Sequence, residues 1–169
     1  TYAPDGIKKQ NNLNPYFLKN SGKGNHSLSF REYLQAAVAK QQPIWTSVVC
    51  IRKHTLLETG GFPDGKCNRG GDIDTWLRCV EKSDGMAWSV HIGATYFRDA
   101  VNMVSLAHLP YSEIKRAERE TTDNLLNNYK GVDAKLLKQF SNKRTIADWK
   151  RNQYLPIKQK IKLLSKLYW

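Results

Sequence analysis

Two carboxylates, Asp72 and Asp74, stand two residues apart in the stretch Gly60-Gly61-Phe62-Pro63-Asp64-Gly65-Lys66-Cys67-Asn68-Arg69-Gly70-Gly71-Asp72-Ile73-Asp74-Thr75-Trp76-Leu77-Arg78. The glycines let the backbone turn tightly and come close to a ligand. Ile73, Trp76, Leu77 and Val80 recur at i, i+3, i+4 and i+7, the apolar face of a helix whose first turn holds Asp72. A carboxylate is thereby presented on a rigid, buried support at the mouth of a flexible loop. Such a group stays ionised at neutral pH, is favoured at a helix N-terminus, and can take a proton from a hydroxyl within hydrogen-bond reach. The same position suits an N-cap, and sequence physics alone favours the cap. Asp74 is expected to be a solvated first-turn acid that suits the helix dipole, and Arg78 a surface or salt-bridge residue.

Several elements must position this helix. Ser29 and Glu32 form a Ser-x-x-Glu capping box ahead of a helix with Phe30, Tyr33, Leu34, Ala37 and Val38 on its apolar face, ended by Pro43. The apolar run from Ile44 to Arg52 predicts a strand covered on both faces. A short helix over 54–59 is closed by Gly60. Alternation from Trp88 to Phe97 predicts a second strand, ending at Arg98-Asp99. Residues 4–27 read as a long loop, and Thr1-Tyr2-Ala3 as the end of a strand. Ser21-Gly22-Lys23-Gly24 lacks the spacing and the preceding strand of a phosphate loop. Downstream, a polar helix opens at Pro110 and Ser112, runs to about Tyr129 and is broken by Gly131. Asp133 caps a helix with Leu136, Leu137 and Phe140, Thr145 heads another, and Pro156 starts a last one. The fold class is therefore mixed α/β: a small sheet including 44–52 and 88–97, packed by helices and followed by a helical tail, with a division between residues 1–111 and 112–169.

Gly-Gly-Phe, a short polar loop and an acidic pair opening a helix that reads Trp-Leu-Arg together resemble the acceptor-side half of family 2 inverting glycosyltransferases, which have the GT-A fold. The usual Gly-Glu-Asp is Gly70-Gly71-Asp72 here. Trp45-Thr46-Ser47-Val48-Val49-Cys50-Ile51-Arg52 is similar to the family's strand ahead of Gly-Gly-Phe, and Ala94-Thr95-Tyr96-Phe97-Arg98 to its strand ending in Tyr-Arg; the likeness spans residues 28–106. The resemblance implies that Asp72 is the general base, taking the acceptor hydroxyl's proton as that oxygen attacks the anomeric carbon. Gly71, Trp45, Thr46 and Arg98 become substrate-binding candidates: Trp45 by stacking on a sugar ring, although a buried core tryptophan is equally open, and Arg98 by forking onto a diphosphate. Asp72-Ile73-Asp74 also matches the family's Asp-x-Asp metal motif, but that motif ends a strand and this one opens a helix. Many family members have a metal-binding His two residues after the Tyr-Arg arginine, where this chain has Ala100.

No nucleotide-binding unit is read before residue 28, so the resemblance is to a C-terminal portion. The divalent metal, Mn2+ or Mg2+, and the nucleotide-sugar are then held mostly by residues outside this chain, and the 169-residue polypeptide by itself is expected not to transfer sugar. The implied partners are the sugar nucleotide and a carbohydrate or lipid-linked acceptor. The family's commonest setting is bacterial surface polysaccharide synthesis.

The net charge of +12 is uneven. Residues 53–111 carry 6 basic and 7 acidic side chains, while residues 112–169 carry 14 and 6. An excess confined to the flanks speaks about partners rather than chemistry. It motivates an alternative reading as a basic nucleic-acid-binding module, against which stands the lack of any binding motif. The segment 156–169 has four lysines, no acids and a stripe of Ile157, Ile161, Leu164 and Tyr168. Such a helix either lies on an anionic membrane or packs its stripe onto the domain. No apolar run reaches the length of a membrane span, and no signal peptide is visible. Cys50, Cys67 and Cys79 have no metal spacing and suggest reduced thiols in a cytoplasmic setting, at most peripheral to the plasma membrane. His26, His54, His91 and His108 show no zinc spacing, and no Gly-x-Ser-x-Gly supports a serine hydrolase.

Overall fold

A computed structural model describes residues 2–3, 6–7, 19–20, 25–89, 91, 93–94, 115–152 and 154–169. It is helix-rich with a small antiparallel sheet. Strands β1 (Tyr2–Ala3) and β2 (Gly6–Ile7) pair as a hairpin. Strands β3 (Lys19–Asn20), β4 (Asn25–Leu28) and β5 (Met86–Ser89) form a three-stranded antiparallel sheet with β4 in the middle. The loop expected over 4–27 therefore contains strands. Their runs of two to four residues are too short to leave a period-two signal. On β4 only His26 and Leu28 point inward, with His26 beside the Trp88 ring.

Helix α1 (Phe30–Val38) begins at the predicted capping box: Glu32 N–H donates to Ser29 Oγ, and Ser29 N–H to Glu32 Oε2. Helix α2 (Lys53–Glu58) is closed by Gly60 at φ +82, whose N–H bonds Leu57 O while that of Gly61 bonds Leu56 O. Helix α3 (Gly71–Lys82) buries Trp76, Leu77 and Val80 as its spacing predicts. Gly85 then turns the chain into β5, and a Cβ there would stand 2.4 Å from Leu28 O, so only glycine allows this approach.

Three expectations are corrected. Residues 44–52 form no strand: Thr46–Val48 is a turn of 3-10 helix, and Trp45 and Val48 are exposed. A continuous apolar run becomes a strand only with a pairing neighbour, and the strands described pair elsewhere. Among the described residues the second strand is Met86–Ser89; His91, Gly93 and Ala94 are not extended ladder residues, and Val90, Ile92 and 95–97 lie outside the described residues. Downstream, the expected helix start at Pro110 and Ser112 lies outside the described residues, α4 is Glu118–Leu126, and the two helices expected from Asp133 and Thr145 are one, α5 (Gly131–Arg151). Gly131 opens that helix at φ +59, and Asp133 is not its cap but pairs with Arg31 of α1.

The core joins α1, α3, α4 and α5. Phe30, Tyr33 and Leu34 of α1, Trp76 and Leu77 of α3, Leu125 of α4 and Leu137 and Phe140 of α5 make one cluster. Helices α4 and α5 thus supply part of the centre, and α6 (Ile157–Leu164) lies at the margin, inserting Leu163. Leu77 is a fully buried member of this cluster. Leu77→Ala is expected to lower unfolding free energy by about 2–5 kcal/mol in urea denaturation; a loss below about 1 kcal/mol would show that the cluster is not tightly packed there.

Candidate functional site

Residues two apart on a helix point about 200° from one another, and this separates the two carboxylates of α3. Asp74 turns inward and is buried. Its Oδ2 accepts from Arg78 Nε at 2.9 Å and Nη2 at 2.8 Å, and its Oδ1 from Thr121 Oγ1 of α4 at 2.5 Å. The expected solvated acid is thus the most enclosed charge of the motif. Two residues from Trp76, it faces away from that core side chain, so the apolar spacing did not announce its burial; α4 covers that side of α3, with Thr121 bonded to the carboxylate. Arg78 carries the pairing onward, donating to the carbonyls of Thr59 and Gly61.

Asp72 turns outward and is half-exposed. It is not the N-cap. Gly70 is, in the left-handed conformation at φ +74. Asp72 Oδ2 accepts from Thr46 Oγ1 at 2.7 Å, and Oδ1 from the amide of Ile73 at 2.9 Å. A carboxylate has about four acceptor positions, so these two bonds fix its direction and leave lone pairs open. The sequence pointed to Thr46 and Asp72 separately, and the fold brings them together. Trp45, next to Thr46, is exposed rather than a core residue. It lines an open groove of about 1020 Å³ with Val48, Ile51, Trp76 and Trp88. Neither Asp72 nor Thr46 lines that groove; the link to it is Trp45, the lining residue next to Thr46 in the chain. Gly71 has a local reason to be glycine, since a Cβ would stand 2.9 Å from Cys67 Sγ and 3.3 Å from Pro63. Arg98, Asp99 and Ala100 lie outside the described residues.

Sequence reasoning missed a second charged group behind the loop. Arg116 donates to both oxygens of Asp148 on α5, at 2.6 and 2.5 Å, and its Nη1 is 3.6 Å from Glu118. The same segment holds the loop through its backbone: Lys115 N–H donates to Asn68 Oδ1, and Asn68 N–H to Lys115 O. A Cβ on Gly70 would stand 3.0 Å from Arg116 Nη1. No spacing in the sequence announces a pairing 32 residues apart. Burial pushes the Glu118 carboxyl above its ordinary range, against the opposing pull of Arg116, and its Oε2 has no hydrogen-bond partner among the described residues. Burial likewise raises the Cys67 thiol, helped by Asp74, Glu118 and Asp72, which makes it a poor nucleophile at neutral pH. All three cysteines are free. Asp74, saturated by Arg78 and Thr121, does not fit a metal ligand, and no group of His, Cys, Asp and Glu among the described residues could hold a metal ion.

Two predictions follow from these environments. Asp74→Asn or Arg78→Met breaks a buried pair and is expected to cost about 3–5 kcal/mol in urea unfolding, whereas Asp72→Asn changes stability by less than about 1 kcal/mol. Equal losses at both aspartates would make Asp72 a structural group. Glu118, raised in the folded state, contributes stability that is present below its unfolded pKa and lost as pH rises through its folded pKa. Glu118→Gln is therefore expected to be more stable than wild type at neutral pH, by a margin that shrinks as pH falls toward about 4. A margin independent of pH, measured by denaturation across that range, would contradict this.

Comparison with models of known protein families finds no match, and comparisons with curated proteins and with solved structures find none either. What the site can do rests on its own geometry.

Proposed function

We propose that this chain carries the acceptor side of an inverting, GT-A-type glycosyltransferase, with Asp72 as general base. The observation that carries the reading is the contrast within one helical turn. Asp74 is buried and fully paired, while Asp72 is half-exposed, oriented by Thr46 and the Ile73 amide, and retains open lone pairs. A carboxylate so arranged accepts a hydroxyl proton without first giving up a structural bond.

In the proposed step the acceptor hydroxyl lies against Asp72 and its proton passes to the carboxylate. The hydroxyl oxygen forms a bond to the anomeric carbon from one face. The bond from that carbon to the diphosphate oxygen breaks on the other, and the nucleotide diphosphate leaves with the electron pair, so the configuration inverts. Thr46 orients the base, and the exposed ring of Trp45 offers an apolar face at the adjoining groove. The nucleotide and its divalent cation are held, in this reading, by a strand–helix unit with an Asp-x-Asp motif, which none of the described elements forms. Surface polysaccharide synthesis at the cytoplasmic side of the membrane is the setting this reading favours.

The test uses the polypeptide that joins this chain to such a nucleotide-binding unit, screened with sugar nucleotides and Mn2+ or Mg2+ for nucleotide diphosphate release. Asp72→Asn is expected to lower kcat by about two orders of magnitude or more with donor binding intact. Thr46→Val, which removes one bond to a charged group, is expected to lower it by about tenfold. Full activity in Asp72→Asn would remove the base assignment.

A further inference from the structure

The last helix presents its apolar stripe to solvent. α6 touches the domain through Leu163, which is 2% exposed, while Ile157 is 74%, Ile161 61% and Leu164 36% exposed. These three lie within about 60° of arc on one face, and Leu163 lies about 120° away from its centre. Lys158 and Lys162 flank the stripe on one side and Lys160 on the other. Tyr168, expected to extend the stripe, turns back instead. Its hydroxyl donates to Asp123, its ring lies under the Arg119 guanidinium, and its backbone N–H and C=O bond the side chain of Asn142. The chain end is thus fastened to α4 and α5, and the Trp169 ring beyond it is 92% exposed. Within the chain no acidic residue follows Asp148.

We infer that this face is a docking surface for an anionic lipid bilayer, with Ile157, Ile161 and Leu164 entering the headgroup–acyl boundary and the flanking lysines meeting lipid phosphates. The occupant follows from the combination of groups. Three aliphatic side chains in water, rimmed by cations, gain from an environment that is apolar beneath and negative at its surface. A nucleic acid would satisfy the lysines and leave the stripe in water. A second copy of the chain would cover the stripe by bringing like charges together. The inference is independent of the glycosyltransferase reading, because its test measures partition and not turnover.

The full chain is sedimented with vesicles of phosphatidylcholine alone and with about 30% phosphatidylglycerol, the anionic surface that the lysines require. It is expected to sediment with the anionic vesicles only, less so at raised salt. Lys158→Glu with Lys162→Glu should weaken partition by about 25-fold or more, roughly fivefold for each lysine lost. Ile157→Ser with Ile161→Ser should weaken it by about tenfold or more. Both pairs of side chains are exposed, so circular dichroism should show the fold unchanged. A blue shift of tryptophan emission on anionic vesicles, largely removed by Trp169→Phe, would place that ring at the interface. The inference is overturned if the chain ignores anionic vesicles or if the serine variant partitions like wild type. It is equally overturned if an oligonucleotide binds tightly and insensitively to the serine changes while vesicles do not. A dimer in sedimentation velocity that the serine changes dissolve would assign the face to a second copy instead.

Discussion

The pairing of Asp74 with Arg78 is the constraint on which the rest of the site depends. One buried carboxylate receives a guanidinium from its own helix and a hydroxyl from α4, and the guanidinium passes on to two loop carbonyls. The pair therefore joins the end of α2, the start of the glycine-rich loop, α3 and α4. A buried ion pair stabilises little by itself, since desolvation offsets most of its attraction, but removing one partner strands a charge. Its value here is geometric: the loop carbonyls have one arrangement that satisfies Arg78, and this fixes where the loop starts.

The far end of the loop is fixed by a different pair. Arg116, held by Asp148 of α5, lies against Gly70, while Asn68 and Lys115 exchange hydrogen bonds. Two arginine–carboxylate pairs thus grip residues 59–61 and 68–70. Gly70, in a left-handed conformation that side chains resist, turns the chain into α3. Asp72 is positioned by this frame without belonging to it. Its own partners, Thr46 and the next amide, aim it but do not bury it.

What the sequence disclosed follows the range of the interactions involved. The capping box, the glycine closure of α2 and the apolar face of α3 depend on residues within four positions of one another, and all three are present. The run from Ile44 to Arg52 misled because a strand depends on a neighbour that sequence does not name; its side chains line a groove instead. Asp74 shows a subtler limit. Its type and place at a helix start suggested solvent, and its burial comes from α4, whose Thr121 lies 47 residues further along and left no local signal. The Arg116–Asp148 pair, 32 residues apart, left no local trace. For the site, Asp72 and Thr46 were legible as separate candidates, while their hydrogen bond across 26 residues was not.

Helix phase, more than composition, decides what the C-terminal helix presents. Composition gave four lysines and an apolar stripe, compatible with either packing or display. Display results from which residue the domain accepts. Leu163, outside the stripe, fills the contact with α5, and Asn142 and Asp123 draw Tyr168 inward. Once those anchors are set, the rotation of α6 is determined, and Ile157, Ile161 and Leu164 have nowhere to point but outward. Arg119 reinforces the choice from α4 by donating to Lys166 O. An amphipathic helix held by its minor face presents its major face, and the flanking lysines decide what that face can meet.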